Sequence, residues 1–341
     1  DGHRRAFERA RRDGGRQAAL KAYHDKLASL TFFDPACGCG NFLVIAYREV
    51  RELERKLLKD QLAGRLIAGA EVRASAFSRV NVDQFYGIEF EEFPARIAET
   101  AMWMADHLAN LLLSADLGEL FARIPLEKSA KIVHGDALET DWADVLPPAQ
   151  CSYVLGNPPF IGAKMQSEHQ RAQVRGIARL GGSGGTLDYV TAWFIKAAAY
   201  VQQGGGRARI GFVSTNSITQ GEQVAQLWPI LFDRYKMEIT FAHRTFAWSS
   251  EARGMAHVHV VIIGLAARGH EPAEKRLFSY ADIKGEPSES RHRAISPYLF
   301  DAGGLADPHV VVAEASKPLN GARQIIIGSK PIDGGHLIFD A

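Results

Sequence analysis

The run Phe32-Phe33-Asp34-Pro35-Ala36-Cys37-Gly38-Cys39-Gly40-Asn41-Phe42 constrains this chain more than any other stretch. Two aromatic residues and an aspartate predict a short buried strand, Thr31–Asp34. Gly38 and Gly40 then turn the backbone, and Asn41 opens a helix whose Phe42, Ala46, Val50, Leu53 and Leu57 recur at three- and four-residue spacing. Strand, glycine turn and helix in that order bring backbone close to a nucleotide-like ligand, because glycine lacks the Cβ that would hold the ligand away. A dinucleotide fingerprint would need a third glycine at position 43, which is Leu43 here. Hydride transfer is therefore disfavoured.

The same alternation continues downstream. Strands are expected at Gln84–Glu89, Ile132–Val133, Ser152–Leu155, Ile210–Val213, Ile239–Ala242 and His257–Ile263. Between them, Ile97, Ala101, Met104, Leu108 and Leu111 form the apolar stripe of the clearest helix, with Pro94 suited to its first turn. Leu187–Val201 and Val224–Arg234 are also expected to be helical, and Gly181–Gly185 reads as a loop. Strands alternating with helices predict an α/β fold, a doubly wound and mostly parallel sheet with helices on both faces. Residues 1–30 are basic and read as a helical lead-in, 31–285 as a catalytic domain, and 286–341 as a linker.

With 341 residues, 46% of them hydrophobic, the chain is long enough to bury a full core. A net charge of +1 gives no overall basic field, so any grip on nucleic acid must be local. Three cysteines make no disulfide framework. Cys37 and Cys39 read as small turn residues, since no further Cys/His cluster at ligand spacing accompanies them and no metal is expected. No apolar run approaches the ~18 residues of a membrane span and no signal sequence is visible, so a cytoplasmic protein without membrane contact is expected. The chain starts at Asp1 without a methionine, which reads as part of a longer protein.

Two further strand ends carry acid. Glu89, in Tyr86-Gly87-Ile88-Glu89-Phe90, is placed to accept from ribose hydroxyls, and Asp136, in Gly135-Asp136-Ala137, to accept from an adenine amino group. Either alone would be an exposed carboxylate or a turn former; in succession after the glycine turn they suggest one shared ligand. Gly156-Asn157-Pro158-Pro159-Phe160 is the sharpest signal. An exocyclic base amine is a poor nucleophile because its lone pair is delocalised into the ring. The Asn157 side-chain oxygen and the Pro158 carbonyl both accept from such an amine, the prolines stiffen the backbone, and Phe160 offers a face to a base taken out of the stack. Together the motifs predict methyl transfer from S-adenosylmethionine to an amino group of a DNA base. Carbon methylation of cytosine needs a Pro-Cys thiolate, and no Pro-Cys occurs.

Weaker features surround this loop. Lys164, Arg171, Arg175 and Arg179 are candidates for phosphate contacts, with a solvated helix face as the alternative. Phe241–Trp248 interleaves aromatic and polar residues, either lining a base pocket or packing the core. His257 and His259 alternate along a strand, and no metal role is assigned to them.

In order and wording the motifs resemble the gamma class of amino-methyltransferases. Asp34–Phe42, Gly156–Lys164, Leu187–Lys196 and the run Phe212-Val213-Ser214-Thr215-Asn216-Ser217-Ile218-Thr219-Gln220-Gly221-Glu222-Gln223 resemble MmeI-like, type IIL restriction–modification enzymes. The resemblance implies a Rossmann-like class I methyltransferase fold. It also implies S-adenosylmethionine held by Asp34, Pro35, Ala36, Cys37, Gly38, Gly40, Asn41, Phe42 and Phe90, with Glu89 at the ribose and Asp136 and Ala137 at the adenine ring. Catalysis would fall to Asn157, Pro158, Pro159 and Phe160 on adenine N6 in DNA, within a restriction–modification or phage-defence system. Cys39 stands where related loops often carry serine, and the long Asp34–Glu89 spacing implies a helical insertion around residues 51–80. An upstream nuclease and spacer and a downstream recognition domain would belong to a longer parent. The alternatives are cytosine N4, an amide nitrogen on protein, and a non-catalytic cofactor- and DNA-binding remnant.

Overall fold

Adjacent side chains on a strand point to opposite faces, so the two phenylalanines of β1 (Phe32–Asp34) enter two separate cores. Phe32 joins Leu43, Tyr47 and Phe85, stacking on Phe85 with 4.7 Å between ring centroids. Phe33 joins the other core, edge-on to Trp142 at 5.2 Å. All three residues of β1 are buried, as a central strand covered on both faces requires. The computed structural model describes residues 2–12, 16–67, 77–117, 128–180, 186–248 and 258–312. Those up to Val311 belong to one compact unit. The expected Gly181–Gly185 loop, His257 and the linker beyond residue 312 lie outside the described residues.

Strands β2 (Phe85–Glu89), β3 (Lys131–His134), β4 (Tyr153–Gly156), β5 (Arg209–Thr215), β6 (Met237–Trp248), β7 (Val258–Ala267), β8 (Lys275–Ser279) and β9 (Ser288–His292) complete the sheet. Their order is β3-β2-β1-β4-β5-β7-β6-β8-β9. β7 and β9 run antiparallel to their neighbours, and the remaining pairings are parallel. The helices are α1 (Gly2–Arg12), α2 (Arg16–Ser29), α3 (Asn41–Ile67), α4 (Glu92–Leu117), α5 (Trp142–Val145), α6 (Glu168–Ala178), α7 (Thr191–Gln203) and α8 (Glu222–Pro229). The expected doubly wound α/β fold is thus present. From β1 the chain builds outward to β3, then returns to β4 on the other side of β1. That reversal opens a crevice at the carboxyl ends of β1 and β4, where such sheets bind ligands.

Two expectations are corrected. The stripe on α4 does not face the core: Met104, Leu108 and Leu111 are 61%, 56% and 46% exposed. The buried face is instead Ala95, Ala98, Met102 and Ala105. Small side chains win because α4 approaches the glycine turn closely; a Cβ on Gly40 would lie 3.1 Å from that of Ala98. The sheet also continues past residue 285, since β9 pairs with β8 from Ser288 to His292. That strand is exposed and carries no apolar residue, so the sequence pattern does not reveal it.

Helices α1 and α2 pack onto α3 through Phe7, Leu20 and Leu27. Arg4 and Arg11 of the basic lead-in pair with Glu49 and Asp60 of α3. Beneath them lies a buried polar knot. Glu54 accepts from Arg51 (2.8 Å) and from the backbone N–H groups of Arg79 (2.6 Å) and Val80 (2.9 Å), and shares a hydrogen bond with His24 (2.9 Å). Among the described residues no helix is long and apolar enough to cross a membrane.

Candidate active site

The turn after β1 is held by its neighbours before any ligand is considered. Gly38 N donates to Glu89 Oε2 at 2.8 Å, Glu91 N donates to Glu89 Oε1 at 3.1 Å, and Cys37 N donates to the Ile88 carbonyl at 3.1 Å. Gly38 and Gly40 both adopt positive φ (+53° and +85°), the region where a side chain is strained. Trp193 of α7 donates from Nε1 to the Pro35 carbonyl at 3.0 Å, clamping the turn from the far side. Burial pushes the Cys37 thiol up, so it is an uncharged filler under the turn.

Asp34 closes β1 with no exposed surface. Its Oδ1 accepts from Ala36 N at 3.0 Å, while its Oδ2 is buried without a hydrogen-bond partner among the described residues. Burial raises the carboxyl to about 7, opposed by the Ala36 amide and reinforced by the charge of Glu89. Gly156, at the end of β4, leaves the room this carboxylate needs: a Cβ there would stand 2.4 Å from Asp34 Oδ1. Beside Glu89, the rings of Phe90 and Phe93 are 65% and 77% exposed, two open aromatic faces at the mouth of the crevice.

The acidic turn after β3 is more heavily engaged. Gly135 N donates to the Glu89 carbonyl at 2.8 Å, fixing the β2 and β3 ends together. Asp136 Oδ1 accepts from Leu138 N and Oδ2 from Gln173 Nε2, both at 2.8 Å. Gln173 in turn accepts from Tyr189 Oη at 2.6 Å. A carboxylate has about four acceptor sites, so Asp136 keeps capacity for another donor. Asp136, Glu139 and His169 also bring ligand atoms within 4.8 Å of one another. They are half-buried or exposed, and His169 already contacts Glu139 at 3.0 Å, which a surface pair explains.

At the Asn157 loop, Asn157 Oδ1 is buried and has no hydrogen-bond partner among the described residues. An unpaired buried carbonyl costs about 1–3 kcal/mol, so its persistence asks for a donor from outside the protein. Phe160 is half-buried against the core and Pro159 is exposed. The loop is tied down by residues that sequence reasoning left without a role. Asp188 Oδ1 accepts from Ala163 N at 3.1 Å; its Oδ2 accepts from Thr215 Oγ1 at 3.3 Å and from Ser217 Oγ. Asp188 N donates to Gln223 Oε1 at 3.0 Å, Tyr189 N to the Ile161 carbonyl at 2.9 Å, and Gln166 Nε2 to the Leu187 carbonyl at 2.8 Å. The Ser-Thr-Asn-Ser run at the end of β5 is therefore the far wall of this loop.

Lys196 was also unforeseen. Its Nζ donates to the carbonyls of Ala137, Leu138 and Thr140 at 2.7–2.9 Å, and burial lowers it to about 8. The signal was present, since Lys196 is the only charged residue of α7 and Asp188 the only one among the four residues before it. Of the expected phosphate contacts, Arg171 is turned inward, donating to the Gln166 carbonyl at 2.9 Å, and Arg179 ends α6 with φ +53°. Lys164, Arg175 and Arg179 are exposed. His243 of the Phe241–Trp248 segment stacks on Phe278 at 4.2 Å, and His259 is exposed.

Comparison with known proteins matches residues 9–279 to the family described as MmeI, DNA-methyltransferase domain. DNA methyltransferase A of Bacillus subtilis (strain 168) is 34% identical over 338 residues, covering 95% of this chain and 36% of that protein. The solved structure of the type IIL restriction–modification enzyme MmeI in complex with DNA is 44% identical with a TM-score of 0.90. It covers 98% of this chain, and the chain spans 43% of that structure's length.

Proposed function

This chain belongs to the MmeI DNA-methyltransferase domain family, and from that premise we propose that it transfers a methyl group from S-adenosylmethionine to the N6 amino group of adenine in DNA. One observation carries the reading: the buried, unpartnered Oδ1 of Asn157 stands one residue beyond Gly156, which abuts Asp34 in the crevice. A flipped base would bring the missing donor. Asn157 Oδ1 and the Pro158 carbonyl would each accept one amine proton, turning the nitrogen lone pair out of the ring and toward the crevice. Holding that nitrogen in line with the methyl donor supplies much of the rate. The face of Phe160 turned away from the core is available to stack on the base.

The crevice fits S-adenosylmethionine. Asp34 Oδ2 is a buried acceptor without a donor, and the positive-φ turn at Gly38 and Gly40 lets a ligand approach the backbone. Glu89 would take ribose hydroxyls on its remaining lone pairs, Phe90 and Phe93 would cover the adenine ring, and Asp136 would accept from its amino group. When bound, the cofactor supplies an electrophilic methyl on a sulfonium. Lys196, Trp193 and Asp188 act on the backbone around it by holding the Asp136 turn, the Pro35 turn and the Asn157 loop. The adenine choice, and a cytoplasmic place in a restriction–modification or phage-defence system, rest on the family likeness. So does the division into a lead-in at 1–30, a catalytic domain from 31 and a linker leading toward a recognition domain.

The test is to incubate the chain with DNA and isotope-labelled S-adenosylmethionine and digest the DNA to nucleosides. Label in N6-methyldeoxyadenosine is expected, and it should vanish in Asn157→Ala while cofactor affinity stays near normal. Label in N4-methyldeoxycytidine would move the target base. An Asn157→Ala chain as active as the original would overturn the assignment.

A further inference from the structure

A second cavity opens on the same edge of the sheet. β6 and β8 run parallel to β5 and β4, so the ends of all four strands emerge beside the Asn157 loop. Between them lies a cavity of about 470 Å³ lined by Thr219, Gln220, Arg244, Thr245, Tyr280 and Tyr298. The lining offers hydroxyls, an amide, one guanidinium and two tyrosine rings, with Leu299 its one aliphatic side chain. That is unlike an apolar ligand pocket, and it is the donor set that protein–DNA interfaces direct at phosphate and sugar.

Three observations go beyond that composition. Arg244 is exposed and forms no ion pair among the described residues, while Arg276 of β8 and Arg291 of β9 each meet a glutamate, at 2.6 and 3.1 Å. Tyr280 is held rigid: it shares a hydrogen bond with His243 Nδ1 at 2.8 Å, and its ring stacks on Phe246 at 5.0 Å. His243 is itself locked, lying 8° from parallel over Phe278. Finally, the cavity is mechanically continuous with the Asn157 loop. Thr219 and Gln220 follow directly on the Thr215–Ser217 pair that grips Asp188, and Asp188 grips Ala163. From β4 to β6 the sheet passes three strand steps, about 14 Å at ordinary spacing. An extruded base held at Asn157 does not span that distance, whereas the strand that carries it does.

We infer that this cavity is a second nucleotide subsite, in which Arg244 takes a backbone phosphate of the DNA strand flanking the extruded base and Tyr280 stacks on a neighbouring base. The inference rests on the DNA reading above. Both contacts are sequence-blind, because every nucleotide has a phosphate and a flat face. Their effect is to hold the flanking strand along the carboxyl edge once the target base has left the stack.

The experiment is a DNA-binding titration across salt concentrations with the unmodified chain, Arg244→Ala and Tyr280→Phe, with S-adenosylmethionine affinity measured in parallel. Arg244→Ala should weaken DNA binding about 5- to 20-fold at low salt and flatten the slope of log K against log salt by about one. Tyr280→Phe keeps the ring and should change DNA binding by less than about threefold. Cofactor affinity should hold in both. Photocrosslinking of a 5-iodouracil-substituted oligonucleotide, mapped by mass spectrometry, should mark Tyr280 or Tyr298. Normal DNA binding with an unchanged Arg244→Ala slope, or adducts confined to other faces, sinks this inference alone. Failure of the unmodified chain to bind DNA at all sinks the DNA reading with it.

Discussion

Replacing Asp188 by alanine would remove one carboxylate from between two loops. Three hydrogen bonds disappear at once, from Ala163 N, Thr215 Oγ1 and Ser217 Oγ. Bonds to a charged group contribute about 1.5–3 kcal/mol each, but the loss is smaller than their sum. Thr215 and Ser217 already bond to each other at 2.6 Å and keep that partner. A net destabilisation of about 2–4 kcal/mol is expected, lowering the melting temperature by roughly 3–6 °C in a domain of this size. The larger effect should be on turnover. Freeing Ala163 loosens the loop that starts at Asn157, and a displacement of about 1 Å at a reacting group costs about 100-fold. Cofactor affinity should change little, because Asp34, Glu89 and Asp136 lie on the other side of β4. The assay pairs calorimetric binding of S-adenosylmethionine with methyl-transfer rates, both measured well below the melting temperature. Asp188→Asn, which keeps one acceptor oxygen, should recover part of the rate. Full turnover in Asp188→Ala, despite a lowered melting temperature, would refute the idea that this carboxylate positions the loop.

Gly156→Ala places a Cβ 2.4 Å from Asp34 Oδ1, so overpacking should cost about 1–3 kcal/mol and abolish the melting shift that S-adenosylmethionine gives the original chain; a normal shift would show the crevice lies elsewhere. The Asp34 carboxyl is raised to about 7 from 3.8, so the folded chain holds this proton more tightly than the unfolded one. Its contribution to stability is greatest below about 4 and falls as pH climbs through 7, by about 4 kcal/mol if the full shift is realised. Asp34→Asn should remove that slope from the pH profile of melting, and cationic S-adenosylmethionine should release a proton on binding near pH 6.5, read by calorimetry in two buffers. Glu54 is pushed up by burial, but His24, Arg51 and the two backbone amides outweigh this and hold it below its ordinary 4.5. Its stabilisation is present above that value and lost as pH falls below it, and Glu54→Ala should cost about 3–5 kcal/mol by stranding Arg51, as chemical denaturation would measure.

Local spacing was enough to read the strand–turn–helix at Asp34–Phe42, the alternation that makes a doubly wound sheet, and the rigid Asn157–Phe160 turn. Each depends on neighbours in the chain: a period of two or 3.6, a glycine where φ is positive, a proline where the backbone is fixed. What remained illegible depends on partners far apart in sequence. The apolar stripe of α4 was plain, yet the helix turned its alanine face inward, because close approach to Gly40 favours small side chains over large ones. β9 carries no apolar pattern and exists only because β8 offers it an edge. Asp188 and Lys196 were visible as isolated charges in apolar surroundings, but a charge does not announce its partners. The carbonyls that satisfy Lys196 lie more than fifty residues away, and the hydroxyls that meet Asp188 lie on the far side of a helix and a strand. Burial of a charge is tolerated only where such partners converge, and that convergence belongs to the tertiary structure alone.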